Sequence, residues 1–334
     1  MKTLFLYIVK EENDPLLAGL TATEWLMREA AGTPYIVVDD RRAAEPPSTD
    51  YVAVLTPSTP LVTAAYLRDL IGEMERRGVS GLEIGRGLLA RTDAYRNGFR
   101  PKRSANAPLA MLAESAADLA RAEKLLYKRI AERLAQNGAI IPDADSVRID
   151  ALSTVESGAT VEPYVFIRKS VVESGARIGA FTEIENAVVH RGAVLLRSVV
   201  RDSEIGENAT VGPFAYIRES SEIGAGCRVG DFVEVKKSTL GQGVKAAHLA
   251  YVGNASVGEK TNVGCGTVFA NYDGKAKHET SVGKRVFIGA NSNLVAPVTV
   301  GDDAYIAAAT TVTKEIPAGA FVIGRVRAEQ KQKK

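Results

Sequence analysis

Residues 205–235 read IGENATVGPFAYIRESSEIGAGCRVGDFVEV and set an aliphatic side chain at every sixth position: Ile205, Val211, Ile217, Ile223, Val229 and Val235. The same spacing returns downstream at Val282, Ile288, Leu294, Val300, Ile306 and Val312. A weaker series lies upstream at Val155, Val161, Ile167 and then Val172, Ile178, Ile184. A period of six matches neither a helix, at about 3.6, nor an alternating strand, at about 2. It suits a short strand followed by a tight corner, repeated. Three such units close one triangular coil with the aliphatics inside. Gly, Asn and Asp serve the corners, where positive φ is needed. Stacked coils then hydrogen-bond as parallel strands about 4.8 Å apart. The stretch from about Thr154 to Gly324 is therefore expected to be a left-handed parallel β-helix, an exception to the right-handed crossover rule.

Two segments interrupt the period, Lys237–Val257 and Phe269–Val282, and interruptions are where loops leave a solenoid. The second contains Ala270-Asn271-Tyr272-Asp273-Gly274-Lys275-Ala276-Lys277, polar and rich in turn formers. Upstream the pattern changes. Leu4–Val9, Tyr35–Val38 and Tyr51–Leu55 read as strands, and Leu17–Ala31 and Pro60–Arg77 as helices, an α/β arrangement. Glu114–Asn137 reads as a longer helix ending at Gly138. The expected organisation is an α/β domain over 1–112, a linker helix over 113–138, the β-helix over 139–326 and a basic tail over 327–334.

With 334 residues, 46% of them hydrophobic, both parts can bury a core. A formal net charge of +2 calls for no nucleic-acid partner, and no apolar run is long enough to span a membrane. The first residues read as a strand, not a signal peptide. The two cysteines, Cys227 and Cys265, lack CxxC spacing, which argues against disulfides or structural zinc and fits a reducing, cytoplasmic setting.

Several segments strongly resemble the acetyltransferase half of the bifunctional N-acetylglucosamine-1-phosphate uridyltransferase/glucosamine-1-phosphate acetyltransferase family. They are GPFAYIR (212–218), GDFVEVKK (230–237), KAAHLAYVG (245–253), NVGCGTVFANYDG (262–274) and LVAPVTVG (294–301). The resemblance continues through Thr310–Pro317 and Ile323-Gly324-Arg325, and reaches back to the helix near Asp118–Gly138. It implies an N-acetyltransferase that uses acetyl-CoA as co-substrate and needs no metal for acetyl transfer. The enzyme would be a homotrimer acting on an amino-sugar phosphate. Its product would feed UDP-N-acetylglucosamine and cell-envelope sugars.

The resemblance also implies roles. His248 matches the catalytic base that takes a proton from the sugar amine, work for which imidazole is suited near neutral pH. Arg218 and Lys236 match residues holding the sugar phosphate. Tyr251, Asn262 and Lys277 match sugar-site positions. Asn271 and Tyr272 match the acetyl end of the pocket, where donors would support an oxyanion. Cys265, Ala290, Ala308 and Arg325 match coenzyme contacts. His190 and His278 read as surface residues, and Cys227 has no functional match.

Some positions depart from the family pattern. Ala247 stands where Gly precedes the catalytic His, Ala290 where a Ser contacts the coenzyme, Ala309 where a Gly lies near the coenzyme channel, and Ala250 where a Thr precedes the sugar-binding Tyr. The N-terminal part departs further. After Leu4–Val9 comes Lys10-Glu11-Glu12-Asn13-Asp14, with no Gly-rich phosphate loop, and in YVAVLTPSTPL (51–61) the metal-binding Asp position is Ser58 or Thr59. This part is shorter than the family's uridyltransferase half and is read as its degenerate relic, the alternative being an unrelated α/β domain. The uridyltransferase activity is accordingly expected to be lost. Two rival functions share the fold: a non-catalytic sugar- or coenzyme-binding scaffold, and an acetyltransferase for a different amino sugar. A zinc hydrolyase needs three clustered His ligands, which His190, His248 and His278 do not provide by spacing.

Overall fold

The computed structural model describes residues 2–12, 14–30, 32–39, 48–104, 109 and 111–332. Asn13 of the acidic run, Ala31 of the first expected helix and the last two lysines of the basic tail lie outside them. The chain divides into two compact units, Met1–Arg129 and Ile130–Lys334.

In the first unit the strands Leu4–Val9, Tyr35–Val38 and Tyr51–Leu55 fall where the sequence places them. They pair in parallel, with Leu4–Val9 in the middle. Strands Gly87–Arg91, Gly81–Ile84 and Lys102–Arg103 extend the sheet beyond Tyr51–Leu55. Leu4, Leu6 and Ile8 join one buried cluster, and Tyr7 and Val9 another, so the central strand is covered on both faces.

The first helix is shorter than the periodicity suggests. It begins at Ala22, because Leu16–Leu17 and Leu20–Thr21 form a small antiparallel hairpin. Thr21 and Glu24 then close a reciprocal capping box that fixes the helix start. The second helix, Ala64–Arg77, is capped by the Thr63 side chain and ends at Gly78 in the left-handed conformation. Helix Ala116–Gln136 ends through bonds from Gly138 N to Ala135 O and Ala139 N to Leu134 O.

The second unit is a parallel β-helix. Its strands form three parallel sheets of nine, ten and ten strands among the described residues. The hexad aliphatics form its core: Val172, Val189, Ile205, Ile223, Leu240 and Val257 line the first face, Ile178, Val211, Val229, Ala246 and Ile288 the second, and Ile184, Ile217, Val235, Val252 and Phe269 the third.

The expected break at Lys237–Val257 is absent. Strands Thr239–Leu240, Lys245–His248, Tyr251–Gly253 and Ala255–Val257 continue the three faces in register. In these two coils the step from third to first face shortens to five residues, Val235 to Leu240 and Val252 to Val257, where Lys237 and Asn254 turn the corner with positive φ. Ala246, a small core residue, hides the hexad there. The second interruption is a true excursion. Between Ala270 and Thr280 the chain leaves as a hairpin, with Tyr272 bridged to Lys277 and His278 N donating to Asn271 O at 2.7 Å. No helix among the described residues is long and apolar enough to cross a membrane.

Candidate active site

The register of the second unit decides which side chains meet. Outside the third face, Arg218 pairs with Lys236, and Lys236 with Gly253. Five residues earlier in each coil, at the corner between second and third faces, Asp231 pairs with His248. The same corner continues upward: Asn291 N donates to Cys265 O at 2.7 Å and Ala309 N to Ala290 O at 2.8 Å. Extending the pairs Ala246–Val263, Val263–Ile288 and Ile288–Ile306 by two residues places His248, Cys265, Ala290 and Ala308 in one column. Arg325 folds back on this column, its Nη1 donating to Ala308 O at 2.7 Å.

His248 is held by a partner that sequence reading missed. Its Nδ1 lies 2.8 Å from Asp231 Oδ1. A carboxylate only accepts, so Nδ1 carries the proton and Nε2 is left as the basic nitrogen. The bond to His248 is the largest of the causes holding the Asp231 carboxyl below its ordinary range. Asp231 lies 17 residues before His248, one full coil, and only the coil length could have shown the pairing. Gly230 is needed beneath: a Cβ there would meet Ala247 O, so the histidine-bearing strand sits directly on it.

The opposite edge of the third face is crowded with charge. Arg218 donates through Nε and Nη2 to Glu234 Oε1 at 2.9 and 2.6 Å, and its Nη1 bonds Glu219. Lys236, 10% exposed in its side chain, reaches Glu219 Oε2 at 3.3 Å. Contact with Lys277 and then Glu219 raises the Lys236 pKa, against the effect of burial. The neighbouring Lys236 ammonium pushes Lys277 below its ordinary value. Between the two edges stands Tyr251, whose ring lies over Gly253, where any side chain would collide with it.

Two expected residues sit elsewhere. Asn262 is on the second face, between Lys245 and Phe287, so one chain does not bring it to Arg218 and Lys236. Asn271 is buried, and its Nδ2 donates to Asn254 Oδ1 at 2.7 Å, so that N–H is not available to an oxyanion. Tyr272 is exposed on the excursion hairpin. Asp273 pins that hairpin. Its carboxylate accepts N–H bonds from Lys275 and Ala276 and contacts the His278 ring, and it is held far below the usual carboxylate range, with the Ala276 bond the largest cause. His278 thus has a structural partner, and His190 bridges Glu173 and Glu204. Cys227 is buried, with its thiol on Gly241 O.

In the first unit Ser58 and Thr59 are buried and internally satisfied. Ser58 Oγ lies 2.6 Å from Thr56 Oγ1, and Thr59 Oγ1 donates to Thr56 O at 3.1 Å. Neutral hydroxyls bonded to one another do not fit a divalent cation. Among the described residues no group of three or more His, Cys, Asp or Glu could hold a metal ion.

Two family models match within the β-helix. Residues 202–237 match "bacterial transferase hexapeptide (six repeats)" and residues 279–314 match "hexapeptide repeat of succinyl-transferase". Curated relatives sharpen the likeness. The "Bifunctional protein GlmU" of Clostridium acetobutylicum is 41% identical over 263 residues, 78% of this chain and 54% of the relative. That of Clostridium perfringens is 49% identical over 214 residues, 64% of this chain and 47% of the relative. The chain thus spans about half the length of the curated relatives it matches. The resemblance read from the β-helix motifs is to this bifunctional protein. Among solved structures, a UDP-N-acetylglucosamine O-acyltransferase from Moraxella catarrhalis aligns over 55% of this chain and 68% of that one, at 17% identity and a TM-score of 0.22.

Proposed function

We propose that the chain is an acetyl-CoA-dependent N-acetyltransferase whose acceptor is glucosamine 1-phosphate or a close amino-sugar phosphate. The observation that carries this reading is the division of labour across the third face. One edge offers an imidazole held by Asp231, at the foot of a column of small side chains. The other offers Arg218, Lys236 and Lys277. The edges are about five residues apart along the strand, roughly 16 Å between backbones. Long side chains reaching in from both sides leave room for one pyranose ring over Tyr251.

In this mechanism His248 Nε2 accepts a proton from the sugar amine as its nitrogen attacks the thioester carbonyl carbon. The tetrahedral intermediate collapses, the carbon–sulfur bond breaks, and coenzyme A leaves as the thiol after protonation. On this reading the column Cys265–Ala290–Ala308 is the path of the pantetheine arm and Arg325, bonded to Ala308 O, is the partner of a coenzyme phosphate. Asn271 acts by shaping the hairpin through Asn254, and the coenzyme-side oxyanion donors are assigned to backbone N–H groups of the column.

The active assembly is read as a homotrimer. Tyr164, Phe181, Phe214, Phe232 and Leu249 stand exposed at one corner of the β-helix, a mostly apolar column, interrupted by Arg197 between Phe181 and Phe214, that favours burial against a second copy. Residues 1–112 are read as a nucleotidyltransferase-like domain without uridyltransferase activity, which the buried hydroxyls of Ser58 and Thr59 support. The test is thiol release from acetyl-CoA by the purified chain, with and without glucosamine 1-phosphate and with no UTP. Release that depends on the acceptor is expected. Its absence, with no coenzyme binding, would sink the reading in favour of a scaffold.

A further inference from the structure

The cations assigned to the acceptor's phosphate are already occupied by carboxylates of the chain, and the two carboxylates are held differently. Glu234 sits on a strand and takes Nε and Nη2 of Arg218, one side of the guanidinium. Glu219 follows Arg218 at the corner, with φ of 55°, and its side chain is 48% exposed. It takes the remaining Arg218 nitrogen, Nη1, and the ammonium of Lys236. Those are the two donors a phosphate would approach. Glu234 orders the arginine from behind, whereas Glu219 stands where the ligand's charge must go. Burial opposes its ionisation, yet the Lys236, Arg218 and Lys277 cations hold the Glu219 carboxyl below its ordinary value. It is therefore charged whenever the site is empty.

Resting on the acetyltransfer reading, we propose that Glu219 is an internal surrogate anion, which the acceptor's phosphate displaces toward solvent from Arg218 and Lys236. Two consequences follow from charge. In the empty site Glu219 keeps the cations together and offsets their mutual repulsion. On binding, a monoanionic group gains nothing by replacing one carboxylate with another, whereas a dianionic phosphate gains charge and extra acceptor oxygens. Glu219 thus sets a threshold that a phosphorylated acceptor must meet and lowers its affinity, whereas glucosamine, with no anion of its own, does not compete with Glu219 for these cations.

The test is calorimetric binding of glucosamine 1-phosphate and of glucosamine to the whole 334-residue chain, comparing wild type with Glu219→Gln. Glu219→Asn serves as a second variant, because Asn tolerates the left-handed backbone at this corner. Both variants are expected to bind the sugar phosphate about tenfold more tightly, the scale of one charge-assisted contact no longer displaced, with no gain for glucosamine. Unchanged or weaker binding of the sugar phosphate in both would overturn the proposal. Binding is read without turnover. Tighter binding with no thiol release from acetyl-CoA would defeat the acetyltransfer reading and leave Glu219's role standing. Normal release without tighter binding would do the reverse.

Discussion

The two edges of the third face are built on opposite principles. At the His248 edge one ionisable pair stands beside small residues, and Cys265, Ala290 and Ala308 leave space. At the Arg218 edge long charged side chains fill the surface and are tied to one another. The difference teaches what each edge has to do. On the acetyltransfer reading proposed above, a thioester and an attacking amine enter and change at the first edge, which calls for an unencumbered base and a channel. On the same reading a phosphate only has to be held, so its edge can be crowded, with Glu234 ordering the arginine and Glu219 the one group that gives way.

That contrast predicts different kinetic signatures. The largest effect is expected from His248→Ala, which should lower kcat by roughly 10²–10⁴-fold in the thiol-release assay. A wild-type rate would remove the imidazole from the chemistry and erase the distinction between edges. Arg218→Ala should act on KM for the phosphorylated acceptor, raising it roughly tenfold to a hundredfold with a much smaller change in kcat. A kcat effect of equal size would show that the crowded edge also takes part in the transition state.

Asp231→Asn is expected to lower kcat by about tenfold. The cause is geometric: an amide in place of the carboxylate no longer obliges Nδ1 to carry the proton, so Nε2 is no longer fixed as the basic nitrogen. A wild-type kcat would mean that Asp231 supports only the strand. The smallest change should come from Ala290→Ser, which restores a hydroxyl in the channel and should shift KM for acetyl-CoA by about threefold or less. A large effect would show that the channel is tighter than its small residues suggest. Dialysis against a chelator should leave acetyl transfer unaltered, and loss of activity restored by zinc would bring back a metal-based mechanism.

Much of this was legible in the residues. The hexads of 205–235 and 282–312 are visible because each core position is a bulky aliphatic, and they became the three sheets. Residues 237–257 were misread as a loop because a five-residue corner and a core alanine broke the visible count while the register ran on. The start of the first helix was missed for another reason: a local hairpin and the Thr21–Glu24 cap outweighed apolar spacing. At the site, the motifs pointed to His248, Arg218 and Lys236, but not to what holds them. Asp231, Glu219 and Asn254 act across coils or corners, and such partners stay hidden until the coil length is known. The buried amide of Asn271 likewise followed from packing, which residue type alone does not reveal.

The coil length also governs how this protein can vary. Asp231 meets His248 only because the intervening chain completes one circuit. Adding or losing a whole circuit elsewhere would lengthen or shorten the prism and leave the pairing intact. A single-residue insertion between positions 231 and 248 would put the imidazole out of phase with its carboxylate, however conservative the inserted residue. The reading frame of this solenoid is geometric, and its active site tolerates change in whole turns far better than in single steps.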